Sequence, residues 1–214
     1  MKTDELIHLL AADTLPVQRH VAARRLAVGL LFGLPVSVLL MLTVLGLNPA
    51  LARYATLPMF WVKFGVPCLM ALIALPLVAR SGRPGADIRI AWAAWALPVG
   101  CLWALGLVVL LQAPAGEAGT LMLSRTWRVC AENIAVLSLP VFVAAIWTLK
   151  SLAPVRPALA GAGAGALGGA SGAAVYALHC PELAAPFIAI WYVLGMALPV
   201  AAGAVLGPRL LRWS

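Results

Sequence analysis

Residues 158–178 read ALAGAGAGALGGASGAAVYAL, a stretch of 21 positions without a charged side chain. A helix needs about 20 apolar residues to cross a bilayer, so this stretch is long enough to span one. Gly161, Gly165 and Gly169 are spaced by four, which places them on one helix face where a neighbouring helix can approach closely. The stretch therefore predicts a membrane helix that packs tightly against others.

Five further apolar segments accompany this one. Together the six occupy about 26–47, 57–79, 90–111, 129–149, 158–178 and 187–206. Of the 214 residues, 64% are hydrophobic and 10% are charged, whereas soluble domains are about 45–50% apolar and about 25% charged. This composition excludes a soluble enzyme and a disordered chain, and the long apolar runs favour helices over a β-barrel. We predict an all-α membrane protein, with a six-helix transmembrane bundle at 26–214.

The net charge of +8 is distributed unevenly along the chain. Eleven of the 15 Lys and Arg residues lie in the N-terminal tail or at alternate segment ends on the same side. The opposite ends carry Arg53, Lys63, Arg125 and Arg128. Because basic residues collect in cytoplasmic loops, this bias predicts that both termini are cytoplasmic. Orientation thus accounts for the excess positive charge, and a nucleic-acid role is not needed.

The tail at 1–25 is the longest predicted cytoplasmic segment, and we interpret it as uncleaved. Thr3 can cap a helix, with Asp4 and Glu5 in its first turn, where negative charge suits the helix dipole. An apolar stripe follows, made of Leu6, Ile7, Leu9 and Leu10. The pattern predicts a short amphipathic helix. Such a helix could lie on the membrane surface or dock into a groove of a partner, and the residues alone favour neither clearly.

Ionisable side chains inside a membrane bundle mark transport paths and proton relays. Lys63 and Glu132 lie near the outer ends of their segments, and we interpret both as interfacial residues, with Lys63 able to snorkel. No Asp, Glu, His, Lys or Arg lies near the middle of a predicted segment. A small-solute or metal transporter, or a subunit of one, is therefore kept only as an alternative.

The four cysteines lie in two kinds of position, within predicted segments and at segment ends. Cys68 and Cys101 lie within the second and third segments and are interpreted as small apolar core residues. Cys130 begins the fourth segment and Cys180 follows the fifth, so the predicted topology puts both at the periplasmic face. There they could form a structural disulfide, be unrelated thiols, or act as a sensing pair that binds a soft metal ion. The polar side chains that could add metal ligands are His179, Glu132 and Glu182.

Several short motifs together resemble one protein family. They are KTDELI at 2–7, LLA at 9–11, PV at 16–17, Cys130 with LP at 139–140, RPALAG at 156–161, YALHCPE at 176–182, Phe187, WY at 191–192, Gly195 and RW at 212–213. They resemble the NrsF family of six-span bacterial inner-membrane proteins over essentially the full length. The HCPE segment followed by WY is the most specific part.

The resemblance implies a membrane anti-sigma factor, which holds an extracytoplasmic-function sigma factor until a stress signal arrives. It implies that Cys130 and Cys180 correspond to two periplasmic cysteines that sense heavy metals or oxidants. It also gives the tail a partner, since residues 3–17 would bind the sigma factor. The residues predicted to make that contact are Asp4, Glu5, Leu6, Ile7, Leu9, Leu10 and Val17.

The remaining expectations follow from the residues and from this resemblance together. The chain would be no enzyme, would bind no nucleic acid directly, and would carry no constitutive cofactor beyond a transient thiophilic metal ion at the two thiols. Its partners would be the sigma factor and the lipid bilayer of the bacterial inner membrane. The oligomeric state is left open. The fourth and fifth segments are expected to carry the signal across the membrane as a shift in helix packing.

Overall fold

A computed structural model describes Glu5 and residues 21–82, 87–114 and 116–212. Within these ranges it contains six long helices and no strand. They are α1 (Val21–Leu40), α2 (Pro58–Ser81), α3 (Arg89–Gln112), α4 (Trp127–Lys150), α5 (Pro157–Tyr176) and α6 (Val193–Leu210). With the turns that extend some of them, all six are long and apolar enough to cross a membrane. The predicted all-α, six-span architecture is confirmed, while the cytoplasmic placement of the termini stays a prediction.

Two of the long helices continue through π-helical turns. Met41–Leu45 extends α1, and Ile188–Tyr192 joins the short helix Ala185–Phe187 to α6. The sixth helical segment is consequently longer than the predicted 187–206. At its far end the helix continues past Gly207 and Pro208 to Leu210, because a proline near a helix end removes only one of the last hydrogen bonds.

Helix α5 lies at the centre of the bundle and is buried on every side. All residues from 160 to 176 are buried, and α5 packs against α6, α4 and α2. Gly161 faces the backbone of Gly203 so closely that a Cβ atom would overlap it. Lipid tails are as apolar as leucine, so helices in a membrane associate through such close packing rather than through the hydrophobic effect.

The glycines of α5 form two contact faces. Gly165 lies against Pro199 and Gly169 against Met196, which together with Gly161 places one face on α6. Gly168 and Gly172 face Ser138 and Ile134 on the other side, which is the α4 side. Helix α5 is thus wedged between two neighbours that both approach its backbone.

Three connections meet at one end of the bundle, which we call the thiol end because it also holds Cys130 and Cys180. They are residues 46–57, 116–126 and 177–184. The Nδ1 atom of His179 lies 2.8 Å from the Gly46 carbonyl oxygen. The indole N–H of Trp191 donates to the Met122 carbonyl at 2.9 Å. These hydrogen bonds tie the C-terminal end of α5 and the start of the sixth segment to the two other connections.

We predict that Gly165→Ala weakens the bundle by about 1–3 kcal/mol, because the added methyl group must displace the backbone at Pro199. The matched control is Gly163→Ala in the same helix, where a Cβ meets the Leu77 side chain at 3.5 Å and the Ser81 hydroxyl at 3.8 Å, both ordinary contact distances. We expect this control to change stability by less than about 1 kcal/mol. Unfolding of the two variants in detergent measures the difference, and equal stabilities would contradict the packing argument.

Candidate functional site

Cys130 and Cys180 come from different helices and lie side by side at the thiol end. Cys130 lies in the first turn of α4, where its N–H donates to Thr126 at 3.0 Å. Cys180 follows the end of α5, and its N–H donates to the Tyr176 carbonyl, also at 3.0 Å. Both are free thiols without exposed surface, and each thiol perturbs the ionisation of the other. The structure therefore brings the two predicted thiols together in one buried site.

Two tyrosine side chains also lie next to the thiols. The rings of Tyr176 and Tyr192 lie 6.0 Å apart. Their hydroxyl groups lie beside the sulfurs, and both are buried without a hydrogen bond of standard geometry. Tyr192 is placed by the π-helical turn at 188–192, a distortion that often occurs at functional sites. On that turn the Ala189 carbonyl accepts a hydrogen bond from the Trp103 indole at 2.9 Å.

Lys63 is part of this site, and its interpretation as an interfacial residue is wrong. Its side chain is 0% exposed. The Nζ atom donates to the backbone carbonyls of Cys180 and Glu182, the latter at 2.9 Å. The ammonium group also lies 5.7 Å from the centre of the Tyr192 ring, within cation–π range. The turn after α5 offers carbonyl acceptors to Lys63, so the residue points into the bundle instead of towards water.

A signal for the burial of Lys63 exists in the sequence. The buried residues of α2 recur every three or four positions, which is the spacing of one helix face. They include Phe60, Lys63, Pro67, Met70, Ala74 and Leu77. Lys63 thus lies within the apolar stripe that faces the bundle. The mean hydropathy is an average over the whole segment, so it does not show that Lys63 lies on the face that packs against other helices.

The polar residues near the thiols do not join them as a ligand set. Glu132 is exposed, and the half-buried Glu182 contributes its backbone carbonyl to Lys63. His179 directs Nδ1 to the Gly46 carbonyl. Among the described residues, no group of three or more His, Cys, Asp or Glu side chains is placed to hold a metal ion. The site offers two soft sulfur donors, and the auxiliary ligand roles stay predictions.

The two thiols are not equivalent. The neighbouring Cys130 thiol, which can donate a hydrogen bond to the sulfur, is the main cause that lowers the pKa of Cys180 to about 5. The ammonium of Lys63 and a backbone N–H near Glu182 act in the same direction, while burial opposes them. The thiolate is the form that attacks electrophiles and binds metals. These contacts favour the thiolate form at Cys180.

The two other cysteines lie away from this site. Cys68 is half-buried on α2, and Cys101 is exposed on α3. The interpretation of Cys101 as a core residue is therefore wrong. The lipid-facing surface of a membrane helix is as apolar as its packed face. The composition of α3 therefore does not show which of its residues face lipid and which face other helices.

The residues predicted to contact a partner through the tail lie almost entirely outside the described part of the chain. These are Asp4, Leu6, Ile7, Leu9, Leu10 and Val17, whereas Glu5 is described and exposed. Their role stays a prediction.

We predict that alkylation of Cys180 depends weakly on pH in the neutral range. A thiol whose pKa is lowered stays ionised as the pH falls towards that pKa, here about 5. Free cysteine, with a pKa near 8.5, should react nearly a hundredfold more slowly at about pH 6 than at about pH 8. Site-resolved mass spectrometry after maleimide treatment of membranes measures both rates. A parallel fall for Cys180 and free cysteine would contradict the assignment.

Comparisons with known proteins point to one family. A family model described as "Negative regulator of sigma F" matches residues 10–213. A protein of Azospira oryzae named "Probable anti-sigma-F factor NrsF" is 46% identical over 213 residues, covering the whole of both chains. A protein of Caulobacter vibrioides named "Anti-sigma-F factor NrsF" is 37% identical over 214 residues, again covering both chains. No solved structure matches significantly. The chain belongs to the NrsF family.

Proposed function

We propose that this protein is a membrane-embedded anti-sigma factor that sequesters an extracytoplasmic-function sigma factor at the cytoplasmic face of the bacterial inner membrane. The observation that carries the proposal is the identity of 46% and 37%, over whole chains, with proteins named anti-sigma-F factors. The six apolar helices supply the membrane anchor. The role is regulatory, with binding and release of a protein partner in place of catalysis.

The thiol pair is the proposed sensor of periplasmic heavy metals or oxidants. Cys130 and Cys180 are adjacent, and the lowered pKa of Cys180 keeps one sulfur in its reactive form. Two thiolates offer soft donors to a thiophilic metal ion. Alternatively, a two-electron oxidant takes two electrons from the pair, the Cys130 thiol releases its proton, and a disulfide forms. Both events join the start of α4 to the turn that follows α5.

The packing of α5 offers a route for this signal. Cys130 is carried by α4, while Cys180 directly follows α5. Helix α5 contacts α4 and α6 backbone to backbone, so it cannot shift at one end without displacing its neighbours. Packed helices switch between discrete arrangements instead of deforming continuously. The signal then reaches the opposite end of the bundle as a changed arrangement of α4, α5 and α6, where the tail and inner loops hold the sigma factor.

The transporter alternative receives no support from the cavities. A groove of about 430 Å³ between α1, α2 and α5 is lined by apolar residues, except for Ser171. A groove of about 290 Å³ between α3 and α6 has a similar lining of aliphatic and aromatic side chains. Neither supplies the polar path that a solute or metal ion needs within a membrane.

We predict that Cys130→Ser and Cys180→Ser each abolish the response of sigma-dependent transcription to metal or oxidant, because a hydroxyl neither forms the disulfide nor replaces the soft sulfur donor. The matched control is Cys101→Ser, on the exposed face of α3, which should respond as the unaltered protein does. A transcription reporter measures the response with and without the stress. A normal response in either sensor variant would remove the thiol pair from signalling.

We predict that deletion of residues 2–17 abolishes capture of the sigma factor in a pull-down from detergent extracts. Burial of a single leucine contributes about 1.5–3 kcal/mol to binding, and the deleted segment holds several of the predicted apolar anchors. The double variant Cys130→Ser with Cys180→Ser keeps the tail and should still capture the sigma factor. Undiminished capture by the deletion variant would place the interface elsewhere.

A further inference from the structure

Lys63 makes a contact that the proposed function does not explain. Its side chain crosses from α2 to the turn after α5, where Nζ donates to two backbone carbonyls, those of Cys180 and Glu182. Burial of an ammonium group is unfavourable unless it is paired and hydrogen bonded. Leucine at this position would fit the apolar stripe of α2 without that cost. The contact therefore calls for an explanation beyond helix packing.

The turn that Lys63 holds is the one that carries Cys180. Residues 177–184 continue neither α5 nor the next helix. Two contacts bind the first part of the turn to the connection after α1: the Nδ1 atom of His179 with the Gly46 carbonyl, and the Asn48 N–H with the Leu178 carbonyl at 3.2 Å. Lys63 binds the second part, at Cys180 and Glu182. The thiol of Cys180 is thus attached to a segment held from two sides.

Helix α4, which carries Cys130, is held in the bundle by its contacts with α5, α1 and α6. Its register against α5 is set by the contacts of Ile134 and Ser138 with Gly172. The two sulfurs therefore meet only if the turn is fixed in space relative to α4. The hydrogen bond from Lys63 to the Cys180 carbonyl helps to fix the position of the turn at Cys180 itself.

We propose that Lys63 is a positioning residue for the thiol pair: by clamping the Cys180–Glu182 turn to α2, it holds the Cys180 sulfur against Cys130. This inference rests on the proposed function only in that the pair is the sensor. An ammonium group has three N–H donors, and two of them are used by the carbonyls. The Tyr192 ring covers the group from the side of the π-helical turn.

The test measures disulfide formation between Cys130 and Cys180 in isolated membranes treated with diamide. In each reaction the two sulfurs lose two electrons to the N=N bond of the reagent and form the S–S bond, and the reduced reagent takes up two protons from water or from any thiol that is still protonated. We expect Lys63→Met to lower the rate at least about tenfold, because small misplacements of reacting groups cost up to about a hundredfold. The rates of the variants are compared at a pH where ordinary thiols are ionised. A difference in rate then reflects the placement of the sulfurs and not their ionisation. Lys63→Arg retains N–H donors and should recover most of the rate.

Two controls separate positioning from general loosening of the bundle. Lys150→Met, at the exposed end of α4, removes the other lysine of the described chain and should not alter the rate. Alkylation of Cys68, half-buried on α2 one turn beyond Lys63, reports the packing of that helix. A slow disulfide reaction with unchanged Cys68 alkylation supports the proposal. An unchanged disulfide rate, accelerated Cys68 alkylation in Lys63→Met, or an arginine variant as slow as the methionine variant would each overturn it.

The assay contains no sigma factor, so its outcome is separate from that of the proposed function. A failed sigma-factor pull-down with the unaltered protein would overturn the anti-sigma role and leave the clamp intact. A normal disulfide rate in Lys63→Met would overturn the clamp and leave the anti-sigma role intact.

Discussion

The close contact between α5 and α6 is the constraint on which the rest of the structure depends. In water, two helices are driven together by the burial of apolar surface, but lipid removes most of that driving force. Association then relies on dispersion contacts, which grow as the backbones approach. Gly161 and Gly203 face each other without side chains, so the two helices approach as closely as backbones can. Helices α2 and α4 pack on α5 beside this contact, and α4 also packs on α6.

The position of the thiol site follows from that arrangement. Because α5 is wedged between α4 and α6, its C-terminal end lies next to the first turn of α4. Cys130 and Cys180, which are 50 positions apart in the chain, thereby become neighbours. The π-helical turn before α6 adds Tyr192, and α2 adds Lys63. The site lies at the junction of four helical segments, so its geometry depends on their relative positions. A chemical change at the thiols can therefore change how these segments pack.

Predictions from the sequence are most accurate where the properties of a single helix decide the outcome. Six apolar runs of about 20 residues predict six helices, because the bilayer sets the length of a spanning helix. The placement of Cys130 and Cys180 at one end also follows, since helices in sequence cross the membrane in alternate directions. The predictions for Lys63 and Cys101 are wrong because burial at these positions depends on the direction in which each residue faces around the helix axis. Whether a side chain faces lipid or a neighbouring helix depends on partners that lie far away in the chain.

The sequence by itself determined the membrane class, the number of helices, the placement of both thiols at the same end of the bundle and, through its motifs, the family. Composition and hydropathy suffice for this because the cost of exposing polar backbone to lipid leaves few alternatives to a helix. Only the tertiary structure decided that the two thiols are neighbours in one buried cluster, that Lys63 is buried beside them, and that His179 binds a backbone carbonyl. These features arise from the rotation and register of packed helices, and from carbonyls freed at the turn after α5.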